Sequence, residues 1–238
     1  MKPKITTAFI LAAGFGTRLM PLTENLPKAL VSYKGKPMIE NVISKLKSFG
    51  ITDFYINTHH HADKMEEYFS GRKGDEQVTL IHEKEILGTG GALKNAAEYL
   101  SGVENFFLYN TDIDSDIDLA ELESFHLTFN SLATLCVQSR KTSRYLLCSN
   151  VDNTLIGRTE NGVERSYSSD KIKHIDYTLK AFCGIHTINN AIFNYLESEE
   201  NSFDIIPFYM KLIKNCQKLS TFDISESYWK DLGIPQNL

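Results

Sequence analysis

A chain of 238 residues with a formal net charge of −5 is long enough to bury one large core, and its acidic balance excludes the basic surface that a nucleic-acid partner requires. Its 42% hydrophobic and 23% charged residues are ordinary for a soluble globular protein and exclude a disordered or fibrous chain. The cysteines, Cys136, Cys148, Cys183 and Cys216, are widely spaced without a Cys-x-x-Cys, so they read as reduced core thiols, not as a disulfide framework or zinc site. The apolar run near the N-terminus is too short to span a membrane and leads into a glycine-rich loop, which places the protein in the cytoplasm.

In chain order, the stretch from Ile10 to Lys28 opens as a buried strand, turns on Gly14 and Gly16, and presents Arg18 and Lys28 on a loop with Pro21 and Pro27. Glycines let backbone N–H groups converge on an oxyanion, and the two cations add charge that core packing does not require. Next, Met38, Ile39, Val42, Ile43, Leu46 and Phe49 share one helical face between Pro37 and Gly50. Residues 53–58 read as a strand, 62–69 as a helix and 77–83 as a strand; Gly90 and Gly91 then lead into a helix carrying Ala92, Leu93, Ala96, Ala97 and Leu100. A strand at 105–110 and a helix near 118–129 complete an alternation that specifies a largely parallel sheet, with its crevice at the carboxyl ends of the strands. Beyond this the pattern changes. Segments 132–138, 144–149, 153–158 and 179–188 are strand-like with short turns, NAIFNYL and IIPFYMKLIKNC look helical, and no linker or repeat divides the chain. These strands read as an antiparallel addition to the same sheet.

Three readings of the glycine loop compete. A dinucleotide site needs a third glycine where Leu19 stands and an acidic end to the second strand, where Asn57 and Thr58 stand. A phosphate-binding P-loop needs Ser or Thr after Gly-Lys, whereas Gly35-Lys36 is followed by Pro37. A plain strand-to-helix turn accounts for the glycines but leaves Arg18 and Lys28 unexplained.

The loop, at Leu11, Ala12, Ala13, Gly14, Gly16, Thr17, Arg18, Pro21, Leu22, Thr23, Pro27 and Lys28, closely resembles the signature of the sugar-1-phosphate nucleotidyltransferase family. The resemblance runs over nearly the whole chain, thinnest between about 160 and 178. It implies a single α/β domain over residues 1–238, Rossmann-like (GT-A-like), with a mostly parallel mixed sheet flanked by helices and an added antiparallel portion. Residues from about 1 to 130 would bind the nucleotide and those from about 131 to 238 the sugar. It further implies that Leu11, Ala12, Ala13, Gly14, Gly16 and Thr17 bind the nucleotide, that Arg18 cradles its triphosphate, and that Lys28 contacts phosphate at the reacting centre.

A metal ion, Mg²⁺, follows from the same resemblance, because the reaction brings two anionic phosphates together and their repulsion must be offset. The implied ligands are Asp112, in Asn110-Thr111-Asp112 where the family usually has Asn-Gly-Asp, and Asp231, in a C-terminal segment matched at Trp229, Asp231, Gly233, Pro235 and Leu238 with Ile234 in place of threonine. The run Asp112, Asp114, Asp116, Asp118 also mimics a calcium loop, but Ile117 stands where glycine is required and an apolar strand precedes it. Asp116 and Asp118 read instead as an acidic turn capping the next helix. The segment Glu83–Gly91 resembles the family's nucleobase-lining stretch, with Glu83 and Gly88 as nucleotide-binding candidates, although a glycine-rich helix start explains it equally well. Gly184 resembles a sugar-facing position, and Asn110 joins it as a sugar-binding candidate. Consecutive histidines at 59–61 point in different directions and read as a polar loop, not a metal site.

The expected activity is Mg²⁺-dependent coupling of a nucleoside triphosphate to a sugar 1-phosphate, with release of pyrophosphate. The run Arg144-Tyr145-Leu146-Leu147, followed by Leu155-Ile156-Gly157, resembles the branch that uridylylates N-acetylmuramic acid 1-phosphate and some mannose-1-phosphate guanylyltransferase-like proteins, although a strand pair packing on the core explains these apolar positions equally well; mannose- or heptose-1-phosphate guanylylation is the alternative. A glycosyltransferase or a catalytically silent nucleotide sensor of the same fold are the rival classes. No heptad or unusual apolar stripe marks a partner chain.

Overall fold

A computed structural model of the chain describes residues 4–72, 74, 76–167 and 176–238. Of the stretch where the family resemblance thins, residues 168–175 lie outside the described residues.

Strand β1 (Thr7–Leu11) is followed by 3₁₀ turns at Thr17–Leu19 and Lys28–Leu30, a short hairpin of β2 (Ser32–Tyr33) and β3 (Lys36–Pro37), and helix α1 (Met38–Phe49). Helix α1 starts after Pro37 and stops at Gly50, whose φ of 117° only glycine adopts without strain, and it buries Met38, Ile39, Val42, Ile43 and Leu46 as the apolar spacing predicts. Next come β4 (Asp53–Thr58), α2 (Ala62–Gly71), β5 (Gln77–His82), α3 (Gly88–Asn95), α4 (Ala97–Leu100) and β6 (Asn105–Asn110). Helix α3 already includes Gly90 and Gly91, where the sequence reading has them as its lead-in, and Ala96 separates it from α4. The glycines are there because the chain from Asn201 to Phe203 lies against them: a Cβ on Gly91 would meet the Asn201 carbonyl at 2.2 Å.

The second half contains β7 (Ile113–Ser115), α5 (Leu119–Phe129), β8 (Ala133–Gln138), β9 (Tyr145–Ser149), β10 (Leu155–Glu160), β11 (Val163–Ser166), β12 (Tyr177–Asn189), α6 (Ile205–Lys214), β13 (Leu219–Asp223) and β14 (Trp229–Asp231). Strands β7, β11, β13 and β14 were not expected from the sequence, and Asn190–Tyr195 is a 3₁₀ turn, not an α-helix. Asp118 does cap α5, accepting the N–H groups of Ala120 and Glu121, but Asp116 accepts the Tyr228 N–H at 2.8 Å and so ties the C-terminal strand down.

The parallel strands run in the order β5-β4-β1-β6, and β12 lies antiparallel beside β6. Strand β12 is the branch point: its residues Tyr177–Ala181 pair β9 along the edge that Ile185–Asn189 give to β6, while β8 pairs its opposite edge. Both faces of the sheet are covered. Phe106 and Leu108 of β6 point into the core beneath α3 and α6, while Phe107 and Tyr109 point into the core beneath α1 and α5. Burial on both sides is why these strands read as continuous apolar runs. Chain order reverses on either side of β1, so a crevice opens at the carboxyl ends of β1 and β6, where Leu11 and Asn110 are register partners. Cys136, Cys148 and Cys183 are buried, but Cys216 is exposed just after α6, which corrects its reading as a core thiol. No helix among the described residues is long and apolar enough to cross a membrane.

Candidate active site

Two adjoining cavities occupy that crevice. The smaller, about 310 Å³, is lined by Leu11, Ala13, Gly14, Arg18, Lys28, Glu83, Gly88 and Asp112 among others. The larger, about 480 Å³, lies against the antiparallel strands, and the two share Leu11, Thr89, Asn110 and Asp204.

The loop after β1 leaves the amides of Gly14, Phe15 and Gly16 without an acceptor among the described residues. Unpaired amides on a glycine-bearing loop are free to donate to an anion. Gly16 serves the loop's own packing: at φ 65° its carbonyl accepts the Thr23 hydroxyl at 2.9 Å, and a Cβ would meet Thr23 at 2.8 Å. Gly16 and Thr17 line neither cavity, and Thr17 is an exposed start to the 3₁₀ turn. The Ala12 amide is already used, donating to Asn57 Oδ1 at 2.6 Å. Asn57 in turn donates to Glu83 Oε1 at 2.7 Å, and Glu83 Oε2 accepts the Leu87 N–H at 3.2 Å. Glu83 is therefore a buried brace joining β1, β4 and the start of α3, and burial raises its carboxyl above the usual range. Gly88, at φ 69°, seats this segment against the Phe203 carbonyl, which a Cβ would meet at 2.7 Å.

The charged cluster draws on three distant segments of the sequence. Lys28 Nζ lies 2.7 Å from Asp112 Oδ2, with both side chains largely buried. Arg18 lies 3.3 Å from Asp231 Oδ2 and 3.9 Å from Asp112 Oδ2, and its side chain is 58% exposed. A pair that open is worth about 0–1 kcal/mol, so Arg18 can leave it for a phosphate at little cost. Two features bring the aspartates together. The Leu232 N–H donates to the Asp112 carbonyl at 2.7 Å, and β14 pairs β7 with Asp231 opposite Ile113. Between them sits Gly233, where a Cβ would come within 2.6 Å of Asp112 Oδ2 and 2.9 Å of Asp231 Oδ1. Gly233 thus leaves a gap in which the two carboxylates meet the Arg18 guanidinium, whose nearest nitrogen lies 2.6 Å from the same point. Two carboxylates around such a gap fit Mg²⁺, which takes one or two carboxylates and completes its octahedron with phosphate oxygens and water. Among the described residues no group of three or more His, Cys, Asp or Glu side chains is placed to hold a metal ion, so phosphate and water would have to supply the remaining ligands.

Asn110 stands where the cavities meet, and Gly184 of β12, at φ 74°, supports it: a Cβ there would lie 2.8 Å from Asn110 Nδ2. Gly184 itself lines neither cavity. The histidine loop is structural in two of its rings, His59 Nδ1 donating to the Glu83 carbonyl at 2.9 Å and His61 Nε2 to that of Glu24 at 3.1 Å. Ile234, which replaces the family's threonine, is 36% exposed. Thr111, which replaces its glycine, buries a hydroxyl with no partner.

Sequence reasoning missed Asn57 as a hub, Gly233 as the spacer, and Arg140 and Arg158 in the wall of the larger cavity. Polar residues closing an otherwise apolar strand were a signal for Asn57. The others depend on contacts between distant segments.

The sequence matches the family described as nucleotidyl transferase over residues 7–238. It is 30% identical over 234 residues to a mannose-1-phosphate guanyltransferase of Schizosaccharomyces pombe, covering 97% of this chain and 61% of that protein. It is also 30% identical over 232 residues to the bifunctional protein GlmU of Methanococcus vannielii, covering 96% of this chain and 52% of that one. The chain thus spans between half and two thirds of the length of these relatives. Among solved structures, the inositol-1-phosphate CTP transferase of T. maritima matches with a TM-score of 0.79 at 17% identity, covering 100% of this chain and 93% of that one. HddC from Yersinia pseudotuberculosis complexed with GMP-PN matches with a TM-score of 0.75 at 22% identity, covering 98% and 96%. At such identities these two likenesses are of fold.

Proposed function

Because the chain belongs to the nucleotidyl transferase family, we propose that it couples a nucleoside triphosphate to a sugar 1-phosphate, forming a nucleoside-diphosphate sugar and releasing pyrophosphate. The observation that carries this reading is the convergence of Arg18, Lys28, Asp112 and Asp231 beside a loop of unpaired amides.

Asp112 and Asp231 would hold Mg²⁺, which when bound supplies positive charge against the repulsion of two phosphates. The chain's own residues do the positioning. The amides of Gly14, Phe15 and Gly16, with Arg18, take the β- and γ-phosphates that depart as pyrophosphate. Lys28 sits at the reacting phosphates, held by Asp112 so that no reorganisation is needed when charge builds. A phosphate oxygen of the sugar 1-phosphate forms the new bond to the α-phosphorus as the bond to the bridging oxygen of pyrophosphate breaks in line. That oxygen is ionised at neutral pH, so no general base is required. Glu83 and Gly88 shape the smaller cavity for the nucleotide, and Asn110, backed by Gly184, receives the sugar in the larger one. Residues up to about 130 thus form the nucleotide half, and the remainder the sugar half with the second metal aspartate.

For the substrates, the resemblance in the sequence supports UTP with N-acetylmuramic acid 1-phosphate. The name of the S. pombe relative supports a second reading, GTP with mannose 1-phosphate. Pyrophosphate release across the four common triphosphates and N-acetylmuramic acid, mannose, glucose and heptose 1-phosphates separates them. Asp112→Asn and Asp231→Asn should each lower turnover by about 100-fold or more while the circular dichroism spectrum is unchanged. Wild-type rates in either variant would remove the metal assignment.

A further inference from the structure

The larger cavity has a charge that a neutral sugar does not call for. Among the described residues, Arg140, Arg144 and Arg158 line it against a single carboxylate, Asp204, in a protein whose net charge is −5. We infer that this cavity selects a sugar 1-phosphate carrying a second anionic group, a carboxylate or another phosphate, recognised by these arginines; the inference rests on the nucleotidyltransferase reading above.

Each arginine is held differently. Arg140, just after β8, lies 4.1 Å from the centroid of the Trp229 ring and donates to the Phe182 carbonyl at 2.7 Å. Its Nε is buried and has no partner. A guanidinium stacked and tethered in this way is oriented before any ligand arrives. Arg144, just before β9, has no side-chain partner among the described residues. Arg158 of β10 donates from Nε and one terminal nitrogen to Glu160 Oε1, at 2.9 and 2.7 Å. Glu160 is shared, since its other oxygen lies 3.0 Å from Arg165, so one carboxylate serves two guanidiniums and positive charge is left over. His186 lines the cavity too, but burial pushes its imidazole down to about 3, so it adds no charge near neutrality.

The 1-phosphate does not account for these groups. It must meet the α-phosphorus beside Asp112, where Lys28 and Arg18 already stand in the smaller cavity. Nor do sugar hydroxyls account for them: hydroxyls bind both donors and acceptors, whereas guanidinium only donates and pairs best with the planar oxygens of a carboxylate or the oxygens of a phosphate.

The test uses matched substrates with the full chain, Mg²⁺, and UTP or GTP. N-acetylmuramic acid 1-phosphate differs from N-acetylglucosamine 1-phosphate by a carboxylate-bearing ether; mannose 1,6-bisphosphate differs from mannose 1-phosphate by a phosphate. The acidic member of one pair should show a kcat/KM about tenfold or more higher, as one charge-assisted hydrogen bond supplies, and the pair that responds identifies the group. Arg144→Ala, at an exposed side chain whose loss leaves the fold intact, should cut that ratio by about tenfold. Arg158→Lys, which retains a charge for Glu160, should cut it by less. If the neutral members react as well as the acidic ones, the inference is overturned while the nucleotidyltransferase reading stands. If no combination releases pyrophosphate, that reading falls, and calorimetric binding of the same pairs decides the inference alone. Tighter binding of an acidic member, weakened in Arg144→Ala, upholds it; equal binding overturns it.

Discussion

A glycine and two histidines carry the sharpest expectations at the scale of single residues. Gly233→Ala places a methyl group where Asp112, Asp231 and Arg18 approach within 3 Å, and these are charged ends that must move apart. Turnover should fall by about 100-fold, with thermal stability changed little, because displacement by about 1 Å at a reacting centre has that effect. Kinetics at rising Mg²⁺ would check this: a rate equal to the wild type's at every Mg²⁺ concentration would mean that the gap between the aspartates is not the metal site. His126 is buried between Thr134 and Asn105, and burial pushes it down to about 4, while His186 is pushed to about 3. An unfolded imidazole titrates near 6.5, so below that pH the unfolded chain takes up protons that the folded chain refuses. Stability is therefore fully present above pH 6.5 and is lost as pH falls toward 4, by up to about 1.4 kcal/mol per pH unit for each histidine. The urea midpoint should drop between pH 7 and 5, and His126→Gln should flatten that slope; equal slopes would show that this imidazole is not buried neutral.

At the scale of elements, β14 is three residues long and holds one of the two aspartates. It is kept in register by β7, by the Trp229 Nε1 bond to the Cys183 carbonyl at 2.8 Å, and by the Tyr228 N–H bond to Asp116. Trp229→Ala should therefore lower stability by about 2 kcal/mol and also reduce turnover, by freeing Asp231 and removing the platform under Arg140. Chemical denaturation with kinetics on the same preparation measures both; a loss of stability with unchanged kcat would mean that Asp231 is positioned by Gly233 and Arg18 alone. The sequence shows how much of this was visible in advance. The strand at Asp53–Thr58 and helix α1 were legible because apolar spacing within one segment decides them. Strands β7 and β14 were not, since three residues carry no periodicity and each exists by pairing with a segment more than a hundred residues away.

The whole molecule is joined along β12, which pairs β6 of the first half and β8 and β9 of the second. A fragment ending at residue 130 would expose the edge of β6 and lose Ile185–Asn189 from the sheet, so it should not fold alone. The intact chain should unfold in one transition, with far-ultraviolet dichroism and Trp229 fluorescence coinciding. Two separated transitions would show that the halves are independent units.

The sequence by itself determined the α/β alternation, because apolar periodicity and turn glycines are local properties of the chain, and its family resemblance named Arg18, Lys28, Asp112 and Asp231 as the candidates. It also carried the resemblance to a nucleotidyl transferase, which the match over residues 7–238 bears out. Only the tertiary structure decided that Asp231 meets Asp112 across Gly233, that Glu83 braces Asn57 and Ala12, and that three arginines share one cavity wall. The first two relations join residues from 26 to 119 positions apart, and the third sets the arginines against segments as distant as Leu11 and Asp204. They are fixed by strand register and by the branching of the sheet at β12, which no local pattern in the sequence records.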